Sequence, residues 1–339
     1  MNKKKYFFNI LSILIFGGLA IYFSIRSDYE YVFKALLEVK LNWLLIGLII
    51  MIFIYCIDGL ILYIFGQLFN KAYRYKQALI NALSGVFWCG ITPFSSGGQF
   101  AQVYIFNKQG IVPSFSASIL LLSFIIYQTV LVLFSALILI FRFTDYQVIY
   151  PNLIYLSLIG FLVNFSVIIG LFLGSKNKLF QNFICNNILK LLSGLKLIKN
   201  YYDSRDRLII KLQEFRKELD YLQKNKVLII KIVVLNIIRL TLLYSIPFIL
   251  SYAMDIPISF EKLFDIISIS SILYLITAFI PIPGASGGSE GVFVLLFGHV
   301  FGVATTSTLL VWRFITYYLG LFLGGICFAT NKEINYKEN

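Results

Sequence analysis

The chain has 339 residues, of which 59% are hydrophobic, 17% aromatic and 13% charged. A soluble domain carries roughly twice that charge, about 25%, so this composition excludes an ordinary soluble enzyme, a disordered chain and a nucleic-acid-binding domain. The 29 Lys and Arg against 16 Asp and Glu give a formal charge of +13, and where that excess lies carries topological information.

Read from the N-terminus, Met1-Asn2-Lys3-Lys4-Lys5 precedes an apolar run at 6–24. Its length and the absence of an A-x-A-like cleavage site predict a retained signal anchor. Further apolar runs at 41–65, 115–141, 152–174, 227–253 and 305–328 are long enough to cross roughly 30 Å of hydrocarbon as helices, and far longer than a barrel strand. Two more apolar regions are interrupted. The first, 78–106, breaks at Thr92-Pro93-Phe94-Ser95-Ser96-Gly97-Gly98-Gln99; the second, 263–301, breaks at Pro281-Ile282-Pro283-Gly284-Ala285-Ser286-Gly287-Gly288-Ser289-Glu290.

From 176 to 231 the chain turns polar, with 13 Lys and Arg against five acids. Leu208, Leu212, Phe215, Leu219 and Leu222, and upstream Phe180, Ile184, Ile188, Leu191, Leu192 and Leu195, recur at helical spacing. This predicts two basic amphipathic helices at 175–226 lying on the membrane surface. The positive-inside rule places the N-terminus, Lys71, Arg74, Lys76 and 175–226 in the cytoplasm. That assignment holds only if 78–106 enters and returns as a hairpin. The second broken region, 263–301, then enters from the opposite face; as a hairpin it leaves the tail 331–339 cytoplasmic, and the tail's two Lys and two Glu do not decide between a hairpin and a span. The expectation is a single domain over 1–339 that is all-α and integral to the plasma membrane, with a first half 1–174 and a second half 227–339. It has six full transmembrane helices and two opposed re-entrant hairpins in an inverted repeat.

Both breaks contain Pro-x-x-Ser-Gly-Gly, offset by 190 residues: Pro93, Ser96, Gly97 and Gly98, then Gln99; and Pro283, Ser286, Gly287 and Gly288, then Ser289 and Glu290. Inverted repeats with discontinuous helices bind substrate where the breaks meet. Gly-Gly permits left-handed backbone and close approach of N–H groups, and a half-helix N-terminus suits a phosphate. Pro and Gly that merely allow tight helix crossings are the competing reading. Ionisable residues inside spans mark functional sites unless they pair structurally. Arg313 is the expected phosphate partner, with Glu290 holding it or meeting a cationic group; a purely structural pair remains open. Arg239 and Asp58 stand between structure and substrate path. The single histidine, His299, reads as packing, and Cys56, Cys89, Cys185 and Cys327 form no CxxC pair, so no metal or cofactor is expected.

These motifs carry a family resemblance. The run from Ile91 to Gln99 with Gln102-Val103-Tyr104 and Lys108-Gln109-Gly110, the run from Pro281 to Gly291, and Trp312-Arg313-Phe314-Ile315-Thr316-Tyr317-Tyr318 resemble the lysylphosphatidylglycerol synthase transmembrane, or flippase-like, family over essentially the whole chain. The resemblance implies a lipid-handling membrane module of the kind that moves lysyl-phosphatidylglycerol between leaflets. It implies that module without the soluble domain that transfers lysine from lysyl-tRNA, because nine residues follow Thr330. The leading expectation is a translocase for an anionic or aminoacylated phospholipid or lipid-linked substrate. A lipid-modifying transferase and an accessory subunit of an envelope pathway are the alternatives, and the oligomeric state is open.

Overall fold

A computed structural model describes residues 37–149, 151–177, 219–256, 258–278, 280 and 282–331, with positions 34, 187, 210, 216 and 217. The expected span at 6–24, most of the basic segment 175–226 and the tail after 331 lie outside the described residues. Every regular element among the described residues is helical. In chain order these are α1 (Leu41–Phe69), α2 (Tyr75–Ile91), a 3₁₀ turn (Pro93–Ser95), α3 (Gly97–Lys108), α4 (Pro113–Ile149), α5 (Pro151–Lys176), α6 (Lys226–Ala253), α7 (Leu263–Thr277), a second 3₁₀ turn (Pro283–Ala285), α8 (Gly288–Phe301), α9 (Thr305–Arg313), a π turn (Phe314–Tyr318) and α10 (Leu319–Thr330).

Among the described residues, four stretches are long and apolar enough to cross a membrane: Leu41–Phe69, Pro113–Phe141, Lys226–Ala253 and the interrupted run Pro283–Thr330. A shorter apolar helix covers Tyr155–Gly170 within α5. By contrast α2, α3, α7 and α8 have 17, 12, 15 and 14 residues. At about 1.5 Å per residue none reaches the roughly 30 Å of a hydrocarbon core.

Side-chain contacts order these elements along the bundle. At one end Phe69 packs on Phe115 and Tyr221, with ring centroids 4.2 and 6.3 Å apart. Tyr73 stacks by Phe106 and its hydroxyl donates to Gln109 Oε1 at 3.1 Å, while Gln109 Nε2 donates to Gln77 O at 3.0 Å. The start of α2 and the end of α3 are therefore tied together at the end where α1 finishes and α4 begins. At the other end Lys40 N donates to Ala253 O at 2.9 Å and Trp43 stacks on Tyr252 at 4.6 Å, so α1 and α6 run antiparallel. Here α7 begins, with Tyr252 donating to Ile258 O at 2.8 Å. α8 ends at this end too, since Phe293, Phe297 and Phe301 share one core with Phe248, Leu250, Ala253 and Ile266. From there α9, the π turn and α10 cross back beside α2, where Tyr317 donates to Gly90 O at 3.0 Å.

The order of elements repeats. Adding 190 to the bounds of α2, the first 3₁₀ turn, α3 and the start of α4 gives 265–281, 283–285, 287–298 and 303; the second half has 263–277, 283–285, 288–301 and 305 at those places. α5 lies outside the repeat and packs on α7.

Two departures from the sequence reading have physical reasons. Leu219 and Leu222, from the predicted surface stripe, are fully buried in the same core as Phe65 and Ile232, because a neighbouring bundle offers denser contacts than the bilayer surface. Gly-Gly was expected to supply left-handed backbone at both breaks. At the first, the positive φ angles fall instead on Phe94 (55°) and Ser95 (52°); at the second they fall on Gly284 (61°), Ala285 (52°) and Gly287 (83°). At the first break the turn follows the proline directly and Gly97 and Gly98 come after it; at the second the turn also follows the proline, and Gly287 of the Gly-Gly pair is itself left-handed, as expected.

Asn164 joins three helices: it accepts from Gln128 Nε2 and its amide reaches Gly160 O at 2.6 Å and Leu275 O at 3.0 Å. Asn164→Leu should destabilise the bundle by about 1 kcal/mol, the scale of a buried polar contact between membrane helices. Thermal unfolding in detergent measures this, and Gln128→Leu added to Asn164→Leu should restore part of the loss.

Candidate functional site

The two breaks have nearly the same backbone. Each is entered by an extended residue, Thr92 (φ −115°, ψ 146°) or Ile282 (φ −105°, ψ 141°), followed by proline and a left-handed residue, Phe94 (55°, 18°) or Gly284 (61°, 16°). In each, the serine hydroxyl donates to the proline carbonyl, at 2.9 Å for Ser96 and 3.0 Å for Ser286. A bulky residue such as Phe is rarely left-handed, so its presence here marks a turn imposed by its surroundings. Beyond the serine the copies diverge. Gly97 continues as helix, whereas Gly287 is left-handed and delays the start of α8.

The carbonyls and amides freed by each break are recaptured differently. At the first, the Thr92 hydroxyl donates to Trp88 O at 2.6 Å and accepts from Gly97 N at 2.9 Å, clamping both arms. At the second, where Ile282 replaces Thr92, Arg313 Nη2 donates to Gly284 O at 3.0 Å and lies 3.4 Å from Ser286 Oγ. Tyr317 then links the two halves. Its hydroxyl holds Gly90 O, and its ring fills the space beside Gly284, where a Cβ would sit 2.4 Å from the ring.

Where the turns meet, a cavity of about 500 Å³ opens between the halves. Phe94, Ser95 and Gln99 line it from the first half, Gly284, Ala285 and Ser289 from the second, and Asp58, Tyr127, Asn236, Arg239, Tyr274, Arg313 and Tyr317 complete the wall. Two ion pairs sit in this wall. Arg239 Nε lies 2.7 Å from Asp58 Oδ1. Arg313 places Nε at 2.7 Å and Nη2 at 2.6 Å from the same Glu290 oxygen, Oε1, while Oε2 accepts from Ser289 Oγ at 3.0 Å. Each guanidinium also faces a ring: Arg239 over Tyr127 at 4.9 Å and Arg313 over Tyr317 at 4.7 Å. A cation over a desolvated ring contributes about 1–2 kcal/mol. The wall thus combines these polar and aromatic groups with apolar side chains such as Ile61, Leu62, Val86 and Leu120, and each of its two arginines is balanced by a carboxylate.

Of the sequence-predicted residues, Gln99, Arg239 and Arg313 line the cavity. Glu290 stands behind Arg313 as its counter-ion. Pro93, Ser96, Pro283, Ser286 and Gly287 shape the turns, and their polar groups are turned into the turn itself. Gly97 and Gly288 pack under Thr92 and Ile280, and Gly98 sits so close to α2 that a Cβ would lie 2.1 Å from Cys89 Sγ. Sequence reading named Thr92 and Tyr317 within the motifs without giving them a role, and missed Tyr127, Tyr274 and Asn236. Tyr127 was findable, since it stands 190 residues before Tyr317 as Pro93 does before Pro283; Tyr274 and Asn236 had no sequence signal. Among the described residues no three His, Cys, Asp or Glu side chains gather into a metal-binding group.

An all-helical chain with several membrane-length apolar helices and a charge-balanced polar cavity between two broken ones is a polytopic membrane protein. The chain belongs to the lysylphosphatidylglycerol synthase TM region family, whose pattern matches residues 9–324. Neither the curated proteins nor the solved structures give a match.

Glu290→Gln should leave Arg313 as an uncompensated charge, with its side chain only 6% exposed. The expected loss is about 3 kcal/mol, the cost of breaking a buried pair. Glu290→Gln with Arg313→Gln should lose less than Glu290→Gln alone, as read by thermal unfolding of the detergent-solubilised protein.

Proposed function

We propose that this protein is a translocase that moves an anionic or aminoacylated phospholipid, or a lipid-linked substrate with such a head group, between leaflets. In this reading the plasma membrane is crossed by six full spans, and α2–α3 and α7–α8 are re-entrant hairpins entering from opposite faces. One observation carries the proposal: two turns of matching backbone, reached from opposite ends of the bundle, meet at one cavity lined by two arginines. Non-helical backbone at membrane depth is tolerated where it is buried in protein or lines a wet cavity, and breaks of this kind are where transporters hold their substrates.

The contacts support the hairpin reading. Tyr73 and Gln77 meet Phe106 and Gln109, so the first pair of short helices starts and finishes at one end. The second pair starts and finishes at the end marked by Ala253. The first end carries Lys71, Arg74, Lys76 and Lys226, which the positive-inside rule assigns to the cytoplasm, with the N-terminus and 175–226 on the same side. Family membership supports a lipid-related role. Basic side chains at this end would concentrate anionic lipid, each contributing about 1 kcal/mol near the surface. Arg313 serves as phosphate partner, Arg239 and Gln99 share the cavity, and Pro93, Ser96, Gly97, Gly98, Pro283, Ser286, Gly287, Gly288 and Glu290 hold it in shape.

Purified protein in liposomes should speed the transfer of labelled phosphatidylglycerol between leaflets. Gly98→Leu, which forces α3 away from Cys89 and Gly85, should abolish that transfer. Protein-containing liposomes that move no anionic or aminoacylated lipid would remove the proposal.

A further inference from the structure

The 190-residue offset extends past the breaks into the helix that follows each one, where it pairs Tyr127 with Tyr317. Each ring carries an arginine at nearly the same distance, 4.9 and 4.7 Å. Each arginine has its Nε 2.7 Å from one carboxylate oxygen, of Asp58 or Glu290; for Arg313 this is a hydrogen bond, and for Arg239 an ion pair without hydrogen-bond geometry. The repeat alone does not account for this likeness. Arg313 and Tyr317 lie on one continuous helical run with Glu290 nearby on α8, whereas Tyr127, Arg239 and Asp58 come from α4, α6 and α1. Different elements thus build the same arginine–tyrosine–carboxylate group twice, on the wall of one cavity.

Stability does not explain the duplication, since a buried ion pair is often no better than well-packed apolar side chains and charges within spans are costly. Anion recognition does. A guanidinium presents five donors in a rigid fork; in Arg313 Nε and Nη2 are committed to Glu290 and Gly284 O, which leaves the Nη1 donors for a phosphate oxygen. The two groups also border different cores: Ile57 and Leu240, beside Asp58 and Arg239, belong with Phe65 and Ile232, whereas Trp312 and Ile315, flanking Arg313, belong with Phe248 and Ala253.

Resting on the translocase reading above, we propose that Arg239 on Tyr127 is a second phosphate station equivalent to Arg313 on Tyr317. The phosphate of one lipid head group is handed between them along the bundle. Asp58 and Glu290 hold each guanidinium while its station is vacant and take the place of the departing phosphate as counter-ion. No covalent bond forms or breaks.

The test uses the whole protein and phosphatidylglycerol as the probe. Asp58→Asn/Arg239→Gln removes one station without leaving a lone charge, Glu290→Gln/Arg313→Gln removes the other, and a fourfold variant removes both. Each double variant should still retain phosphatidylglycerol through gentle detergent purification, as native mass spectrometry reads it, yet transfer it between leaflets at least about tenfold more slowly, equivalent to about 1.4 kcal/mol. The fourfold variant should retain none. Tyr127→Leu, which leaves both ion pairs intact, should slow transfer in the same direction while lipid stays bound, so the outcome does not hang on the charge variants folding. Wild-type transfer by Asp58→Asn/Arg239→Gln or by Tyr127→Leu overturns the second station alone. So does loss of retention as complete in Asp58→Asn/Arg239→Gln as in the fourfold variant. If the wild-type protein neither retains nor moves phosphatidylglycerol or any other phosphate-bearing lipid, the translocase reading falls, and the stations with it.

Discussion

Backbone that leaves the helix inside a packed helical bundle must find other hydrogen-bond partners, and the rest of this structure is arranged around that requirement. Each unmet N–H or C=O in hydrocarbon costs several kcal/mol, and this chain breaks its helices twice. Short-range capture does part of the work: in both turns the serine amide and hydroxyl return to the proline carbonyl. The remainder is long-range. Gly90 O is met by Tyr317 from 227 residues away, and Gly284 O by Arg313 from 29 residues away. The residues that stabilise the breaks therefore also set where the two halves touch.

This explains why Arg313 and Tyr317 serve structure and cavity together. Arg313 neutralises Glu290, captures a freed carbonyl and still reaches the cavity wall. The π turn at Phe314–Tyr318 lies immediately after it, and such local widenings of a helix recur at functional sites. Here the widening brings Tyr317 over Gly284, where absence of a side chain leaves room for the ring. The first break lacks an equivalent arginine on its following helix, and Thr92 takes the capping role by bridging Trp88 O and Gly97 N. Arg239 meets Tyr127 from α6 instead, so the halves match in geometry while differing in which elements supply it.

The bundle has two apolar cores, one running from Phe65 and Ile232 to Leu275 and the other from Met51 and Phe248 to Phe301. The ion pairs and tyrosines lie where these cores adjoin, so the polar cavity is walled by packed side chains toward either end. Packing at native density resists gradual deformation and favours discrete rearrangements.

The sequence by itself determined the membrane character, the long apolar helices and the position of both breaks, and it singled out Glu290, Arg239 and Arg313 as ionisable residues within apolar runs. These follow from hydropathy, from helix length against bilayer thickness and from the cost of charge in hydrocarbon, all properties of composition and spacing. The repeated proline–serine–glycine pattern also announced that the two breaks form a pair. What the sequence left open was partnership. The sequence reading paired Glu290 with Arg313, but that Asp58 meets Arg239, that Tyr317 spans the halves, and which glycines turn and which pack all depend on contacts between residues far apart in the chain. Gly97 and Gly98 read as a flexible turn, yet the turn lies two residues earlier, because proline fixes its start and α2 presses on Gly98. Only the tertiary structure decided these points, since in an interior without water each polar group bonds to whatever neighbour the fold supplies.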